Sequence, residues 1–284
     1  MKFSILIANY NNGKYFTDCY NSIIGQTYTD WEAVIVDDRS TDDSIKLISA
    51  IIKNDIRFKL TQNEENKGCG FTKRKCVDLA TGEIAGFLDP DDTIMPEALE
   101  LMIAAHQKKP GVSLVHSNFY FCNEELGRTA LFNRAKSVQV NDKFINENAS
   151  VNHFVSFKKS FYDLTPGIDA LGQRAVDQDL YLKLSETGAF HFIDKPLYNY
   201  RIHDKGISTS KADQAFYWYL KVIMKAEERR KINLEDEVAQ LLNRTDPASL
   251  EIKLGNPRYL ILAMRKSFRN NPAKFLKKLF VNRY

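Results

Sequence analysis

Nowhere in the 284 residues is there an apolar run long enough to span a bilayer. Nor does a charged-then-apolar leader open the chain, because Met1 runs directly into the strand-like Phe3-Ser4-Ile5-Leu6-Ile7. Both absences create the expectation of a cytoplasmic protein. Cysteine is scarce. Cys19, Cys69, Cys76 and Cys122 lack the paired spacing of a structural zinc site, and reduced thiols are the simplest account. Neither G-x-x-x-x-G-K-[ST] nor G-x-G-x-x-G occurs, which argues against a P-loop or a dinucleotide fold. Internal repeats and low-complexity stretches are also missing. Acidic residues are absent from Lys253 to Tyr284, where nine Lys or Arg stand. The remainder holds 31 basic against 36 acidic residues, so the tail carries the whole net charge of +4. No recognised nucleic-acid motif interleaves aromatics there, and no nucleic-acid partner is expected.

What is present is a strand–helix rhythm. Phe3–Ile7, Trp31–Val36, Arg57–Thr61, Ile84–Leu88 and Val112–Phe121 read as strands. Helices are expected over Tyr15–Ile24, from a capping-box-like Ser40-Thr41-Asp42-Asp43 through Ile52, over Thr72–Ala80, and from Pro96 to about Gln107. The alternation predicts an α/β fold with a doubly wound, mostly parallel sheet. Beyond it, Phe154–Phe157 and Tyr198–Ile202 read as strands and Asp177–Ser185 as a helix. The chain after Gly206 reads as helical. The expected organisation is an α/β domain over 1–208, split into 1–122 and 123–208, followed by a basic helical extension over 209–284.

The apolar run Ile84–Leu88 ends in Asp89-Pro90-Asp91-Asp92. These acids fall at the carboxyl end of a strand, where open α/β sheets bind ligands. Carboxylates this close repel one another unless a cation or polar partner compensates. Hard oxygen ligands suit Mg or Mn and, with it, a phosphate-bearing substrate; the alternative is a solvated loop with a helix cap. Asp37-Asp38 and Ala8-Asn9-Tyr10-Asn11 fall at the same sheet edge. Tyr10 suits stacking on a nucleobase, and Asp38 suits a base N–H or a ribose hydroxyl; a core tyrosine and a helix-leading aspartate are the plain alternatives. The loop Asn66-Lys67-Gly68-Cys69-Gly70 precedes Lys73, Arg74 and Lys75, one of which could meet a diphosphate while the others face solvent.

Taken in order, these motifs resemble family 2 glycosyltransferases of the GT-A fold, which invert the anomeric centre of a nucleotide-activated sugar. The matching elements are Ser4–Asn11, Val36–Ser40, Asn66–Gly68, Ala80-Thr81-Gly82-Glu83 and Phe87–Asp92 with Pro96. Asp177–Leu184 and Pro196–His203 complete the set. The resemblance implies donor contacts at Ala8, Asn9, Tyr10, Asp38, Asn66, Gly68, Lys73 and Asp89. It implies a divalent metal, Mn or Mg, on Asp91 with His203, and Asp177 as the catalytic base. Asp179 and Arg201 are expected in support, and Asp92 either supports the metal site or caps the following helix. An N-cap is the plain alternative for Asp177. His153, His191 and Arg201 are weaker candidates for acceptor or diphosphate contacts.

Two departures stand out. Val176 precedes Asp177 where the family usually has Glu. Lys73 stands where it often has Arg, giving a point charge instead of a bidentate fork. Recognition of the sugar is expected to fall on Asn123–Asn152 and Thr165–Ala175. The resemblance makes the partners a nucleotide sugar, foremost a UDP-sugar, and a carbohydrate or lipid-linked acceptor. In the tail, Phe275, Leu276, Leu279 and Phe280 share one helical face opposite Lys274, Lys277 and Lys278. This fits an interfacial helix peripheral on an anionic membrane, or a helix on the domain with a solvated lysine face. A sugar nucleotidyltransferase and a non-catalytic nucleotide-sugar binder are the alternative functions. The former would need a Gly-rich basic loop after the first strand, which Ala8–Gly13 does not supply.

Overall fold

The first strand, β1 (Phe3–Asn9), is apolar on both faces because it lies in the middle of a sheet covered on both sides. It pairs in parallel with β2 (Trp31–Asp37), which pairs in parallel with β3 (Phe58–Gln62). On its other side lies β4 (Ile84–Phe87), also parallel. These four strands and the helices between them form the doubly wound half. The helices are α1 (Phe16–Ile24, entered through a 3-10 turn at Gly13–Tyr15), α2 (Ser44–Ile52), and α3 (Cys69–Leu79). A computed structural model describes residues 1–204 and 212–243; the proposed membrane-facing face after Pro272 lies outside the described residues. No helix among them is long and apolar enough to cross a membrane.

The second half extends the same sheet. Beyond β4 come β5 (Thr93–Ile94), α4 (Ala98–Lys108), β6 (Val112–Cys122) and β7 (Arg128–Leu131). Then follow β8 (Val155–Lys158), α5 (Lys159–Tyr162), α6 (Val176–Ser185) and β9 (Ala189–Arg201). The strand order is β3-β2-β1-β4-β8-β6-β9-β5, with β7 on β6. β8 runs antiparallel to β4 and β6, whereas β9 runs parallel to β6. The sheet is thus mostly parallel, as expected. One apolar layer joins Phe3, Ile5 and Ile7 to Phe16, Ile23, Leu99 and Met102; the other joins Leu6 and Val36 to Val77, Leu180 and Leu184.

Several local readings change. The two-residue β5 and the exposed β7 add to the predicted strands, and β9 begins nine residues before the predicted Tyr198. The capping box at Ser40–Asp43 does not form. Ser40 turns back to the Asp37 carboxylate, and Asp42 Oδ1 receives the Ser44 N–H at 2.9 Å. By compactness the chain divides after Tyr219, within α7 (Ala212–Arg230). In the second unit Leu220, Ile223 and Ala226 of α7 are buried, as are Leu234 and Val238, the latter in α8 (Glu235–Asn243).

Candidate active site

The carboxyl ends of β1, β2 and β4 meet at one sheet edge. Asn9 and Asn11 lock the exit of β1 in place. Asn9 Nδ2 donates to Asp37 Oδ2 at 2.7 Å, and Asn11 Oδ1 accepts from Thr41 N at 2.8 Å. Ala8, just before them, is half-buried, and Tyr10, between them, is 45 % exposed at the edge, not in the core. Asp37 is buried, which works against its charge. Hydrogen bonds from Ser40, Gln62 and Asn9 outweigh that and hold its pKa below the usual range.

Asp38 is also buried, and it organises the next loop. Its Oδ1 accepts from Asn63 Nδ2 and Lys67 N, and its Oδ2 from Gly68 N, each at 2.8 Å. Its carboxylate shapes the edge through the loop, and with three protein donors on about four acceptor positions it keeps room for one more. Gly68 adopts φ +86°, a conformation that favours glycine, and so aims consecutive N–H groups at one carboxylate. Asn66 is exposed on this loop. At Gly70 a Cβ would lie 2.2 Å from Asp169 O, so the first turn of α3 sits directly against the 169–172 turn.

That docking aims Lys73 at the end of β4. Lys73 Nζ lies 3.3 Å from Asp89 Oδ1. Burial works against the ammonium charge, but Asp89, Cys69 and Asp177 more than offset it and raise its pKa. Asp89 is held low against the cost of burial by Lys73 and by His153. His153 stacks on Tyr198, with ring centroids 4.9 Å apart. Burial pushes its pKa down, while Asp89, Asp177 and Asp91 pull the other way. Lys73, Asp89, His153 and Asp177 therefore share one locality.

Asp91 and Asp92 face β9. Burial and then the charge of Asp89 raise the Asp91 pKa, and His203 Nε2 lies 2.9 Å from its Oδ2. Asp92 is buried and does not cap a helix: Tyr198 Oη donates to its Oδ2 at 2.6 Å and Arg201 N to its Oδ1 at 2.7 Å. Burial and its acidic neighbours still raise its pKa well above the carboxylate range. The short β5–β9 pairing creates this contact by setting Thr93 opposite Asn199. Arg201 is committed to the protein. Its Nε donates to Asp91 O and its Nη2 to Asp18 Oδ2, both at 2.7 Å, and its Nη1 to Glu124 O. It braces the Asp91–Asp92 loop, its guanidinium turned to protein acceptors.

The remaining candidates separate. Asp177 is the second residue of α6; Ala175, with φ 53°, occupies the N-cap, so the capping alternative fails. Asp179 is buried, accepting from Lys183 Nζ at 2.7 Å and Asp169 N at 2.8 Å, and it anchors the 165–172 turn. His191 leaves the site altogether: it lies early in β9, with Nδ1 3.1 Å from Lys109 Nζ. Gln178 and Asn146, which adjoin Asp177, were not singled out from sequence; their 32-residue separation offers no spacing signal.

The donor set suits a hard divalent ion. Carboxylate and imidazole converge at Asp91 and His203, beside Asp89 and Asp92, and burial and the neighbouring acid charges raise the pKa of Asp91 and Asp92. Among the described residues no group of three or more His, Cys, Asp or Glu gathers as a metal site. One or two protein ligands completed by substrate phosphates is the ordinary arrangement for Mg²⁺.

The glycosyl transferase family 2 model matches residues 4–164. A chondroitin synthase from Escherichia coli is 34 % identical over 212 residues, covering 74 % of this chain and 30 % of that protein. A hyaluronan synthase from Pasteurella multocida is 29 % identical, covering 73 % of this chain and 21 % of that protein. The chain thus spans less than a third of the length of these relatives. Among solved structures, S. aureus TarS 1-349 with UDP-GlcNAc superposes with TM-score 0.71 at 22 % identity, covering 93 % of this chain and 80 % of that one. The mannosyltransferase PcManGT from Pyrobaculum calidifontis, with GDP-Man and Mn²⁺, gives 0.59 at 14 % identity, covering 95 % and 87 %. Motif order, GT-A architecture and the family match agree, and the chain belongs to glycosyltransferase family 2.

Proposed function

We propose that residues 1–208 transfer a sugar from a UDP-sugar to a growing polysaccharide, with inversion and with a divalent cation on the diphosphate. The observation that carries this is the gathering of Lys73, Asp89 and Asp177 at one strand edge, beside the Asp91–His203 pair. Tyr10 stacks on the uracil, with Ala8 and Asn9 beneath it. The Asn66–Gly68 loop, held by Asp38, borders the nucleoside, and Asp89 meets the ribose. Asp91 and His203 hold the cation, Mn²⁺ or Mg²⁺, with Asp92 and Arg201 bracing them. When bound, the ion neutralises charge developing on the departing nucleoside diphosphate. Lys73 adds a fixed positive charge on that side. Asp177 accepts the proton of the acceptor hydroxyl as it attacks the anomeric carbon from the opposite face. Asp177 stands in the first turn of α6. The chondroitin and hyaluronan synthases among the relatives, and UDP-GlcNAc in the TarS structure, support the UDP-sugar and the polysaccharide acceptor.

A panel of nucleotide sugars screened by thermal shift, with Mn²⁺ or with EDTA, tests this. One UDP-sugar should stabilise the protein only with the cation, by about 2.7 kcal/mol at a hundredfold excess over Kd. Stabilisation by none of the panel, or equal stabilisation in EDTA, would overturn it.

A further inference from the structure

Among the described residues, one hydrogen-bond donor reaches the Asp177 carboxylate: Gln178 Nε2, at 3.1 Å from Oδ2. Gln178 Oε1 in turn accepts from Asn146 Nδ2 at 2.9 Å. Asn146 is held at both ends of its amide by Val151. Its Oδ1 accepts from Val151 N and its Nδ2 donates to Val151 O, each at 3.0 Å. The direction of this relay follows from chemistry. A peptide N–H only donates, and an ionised carboxylate only accepts, so each amide between them has a single consistent orientation. Asn146 is buried and adopts φ 50°, a left-handed conformation that asparagine tolerates. The Tyr219 hydroxyl donates to Ile145 O and fastens the same turn.

We infer that Gln178 and Asn146 are positioning residues for the base: they hold Asp177 Oδ2 and leave Oδ1 to meet the acceptor hydroxyl. This rests on Asp177 being the base. A general base works only when its accepting oxygen is aligned with the proton it takes, and a small misplacement is costly. The restraint comes from the 145–151 turn, inside a segment expected to bear on sugar recognition.

Steady-state kinetics of Gln178→Leu, Asn146→Asp, the double variant and Asp177→Asn test the inference, with Tm measured for each. Gln178→Leu removes the donor to Oδ2. Asn146→Asp keeps size and tolerance of the left-handed turn and still accepts from Val151 N. It cannot donate to Gln178, whose amide then turns its N–H groups toward the new carboxylate and away from Asp177. Each should lower kcat about 10- to 100-fold with the donor KM changed by no more than about twofold. The double variant should be no worse than Gln178→Leu alone, since both break one relay. Wild-type kcat in Gln178→Leu and Asn146→Asp, with Asp177→Asn inactive, would overturn the inference and leave the base assignment standing. So would additive losses that track Tm. Full transfer by Asp177→Asn would remove the base assignment first, and this inference with it.

Discussion

The two ends of the sheet treat carboxylates in opposite ways. At the start of β2, Glu32 is buried and receives five hydrogen bonds, from Lys2 Nζ, Ser4 Oγ, Lys59 Nζ, Thr81 N and Thr81 Oγ1. Burial works against its charge, but these donors prevail and hold its pKa far below the carboxylate range. Beyond the other end of β4, Asp91 and Asp92 are also enclosed, and burial and mutual repulsion push their pKa values up. Glu32 joins the start of β2 to the α3–β4 turn, where Gly82 N also donates to Ser4 Oγ at 2.8 Å. Glu32 takes five donors from the fold, whereas Asp91 meets a single side chain, His203, among the described residues.

The comparison can be broken in three ways. The largest expected effect is on activity. Asp91→Asn should lower transfer about 10³-fold, as EDTA should in the unaltered protein, because the leaving group then loses its counter-charge. Activity near normal in both would separate the acid cluster from the chemistry. Next is Glu32→Gln, which should destabilise by about 1–3 kcal/mol at pH 7, read by urea unfolding, because buried donors lose an acceptor. The sign with pH follows. A lowered folded-state pKa stabilises above the unfolded value and that stabilisation fades as pH falls, so the gap from the parent should narrow in acid. A constant gap would count against the Glu32 cluster. The smallest effect is the stability of Asp91→Asn without metal. Removing a repelled charge should leave stability unchanged or raise it by about 1 kcal/mol. A clear loss would show Asp91 to be a structural group like Glu32.

The first half of the fold was legible because parallel strands buried on both faces read as continuous apolar runs, as in Phe3–Ile7 and Ala33–Val36. β5 was not, since two residues show no periodicity. The first part of β9 buries Phe190 but leaves Ala189, Asp194 and Lys195 exposed, and shows no regular alternation to read. The acids at the strand ends were visible as types, but their division of labour was not. Asp37, Asp38, Asp91 and Asp92 are indistinguishable until donors are counted around each. Glu32 did leave a signal, a charge inside the apolar Trp31–Val36. The Asn146–Gln178 relay left none, because nothing local marks two amides on separate elements as partners.

The central claim is that Asp177 deprotonates the acceptor in an inverting transfer. Its most direct test compares Asp177→Asn with the unaltered protein for Mn²⁺-dependent donor binding and for transfer, with the anomeric configuration of the product read by NMR. The account predicts donor affinity unchanged within about twofold, transfer lowered about 10²- to 10⁴-fold, and inverted product from the unaltered protein. Transfer at the normal rate by Asp177→Asn, or retained configuration, would contradict it.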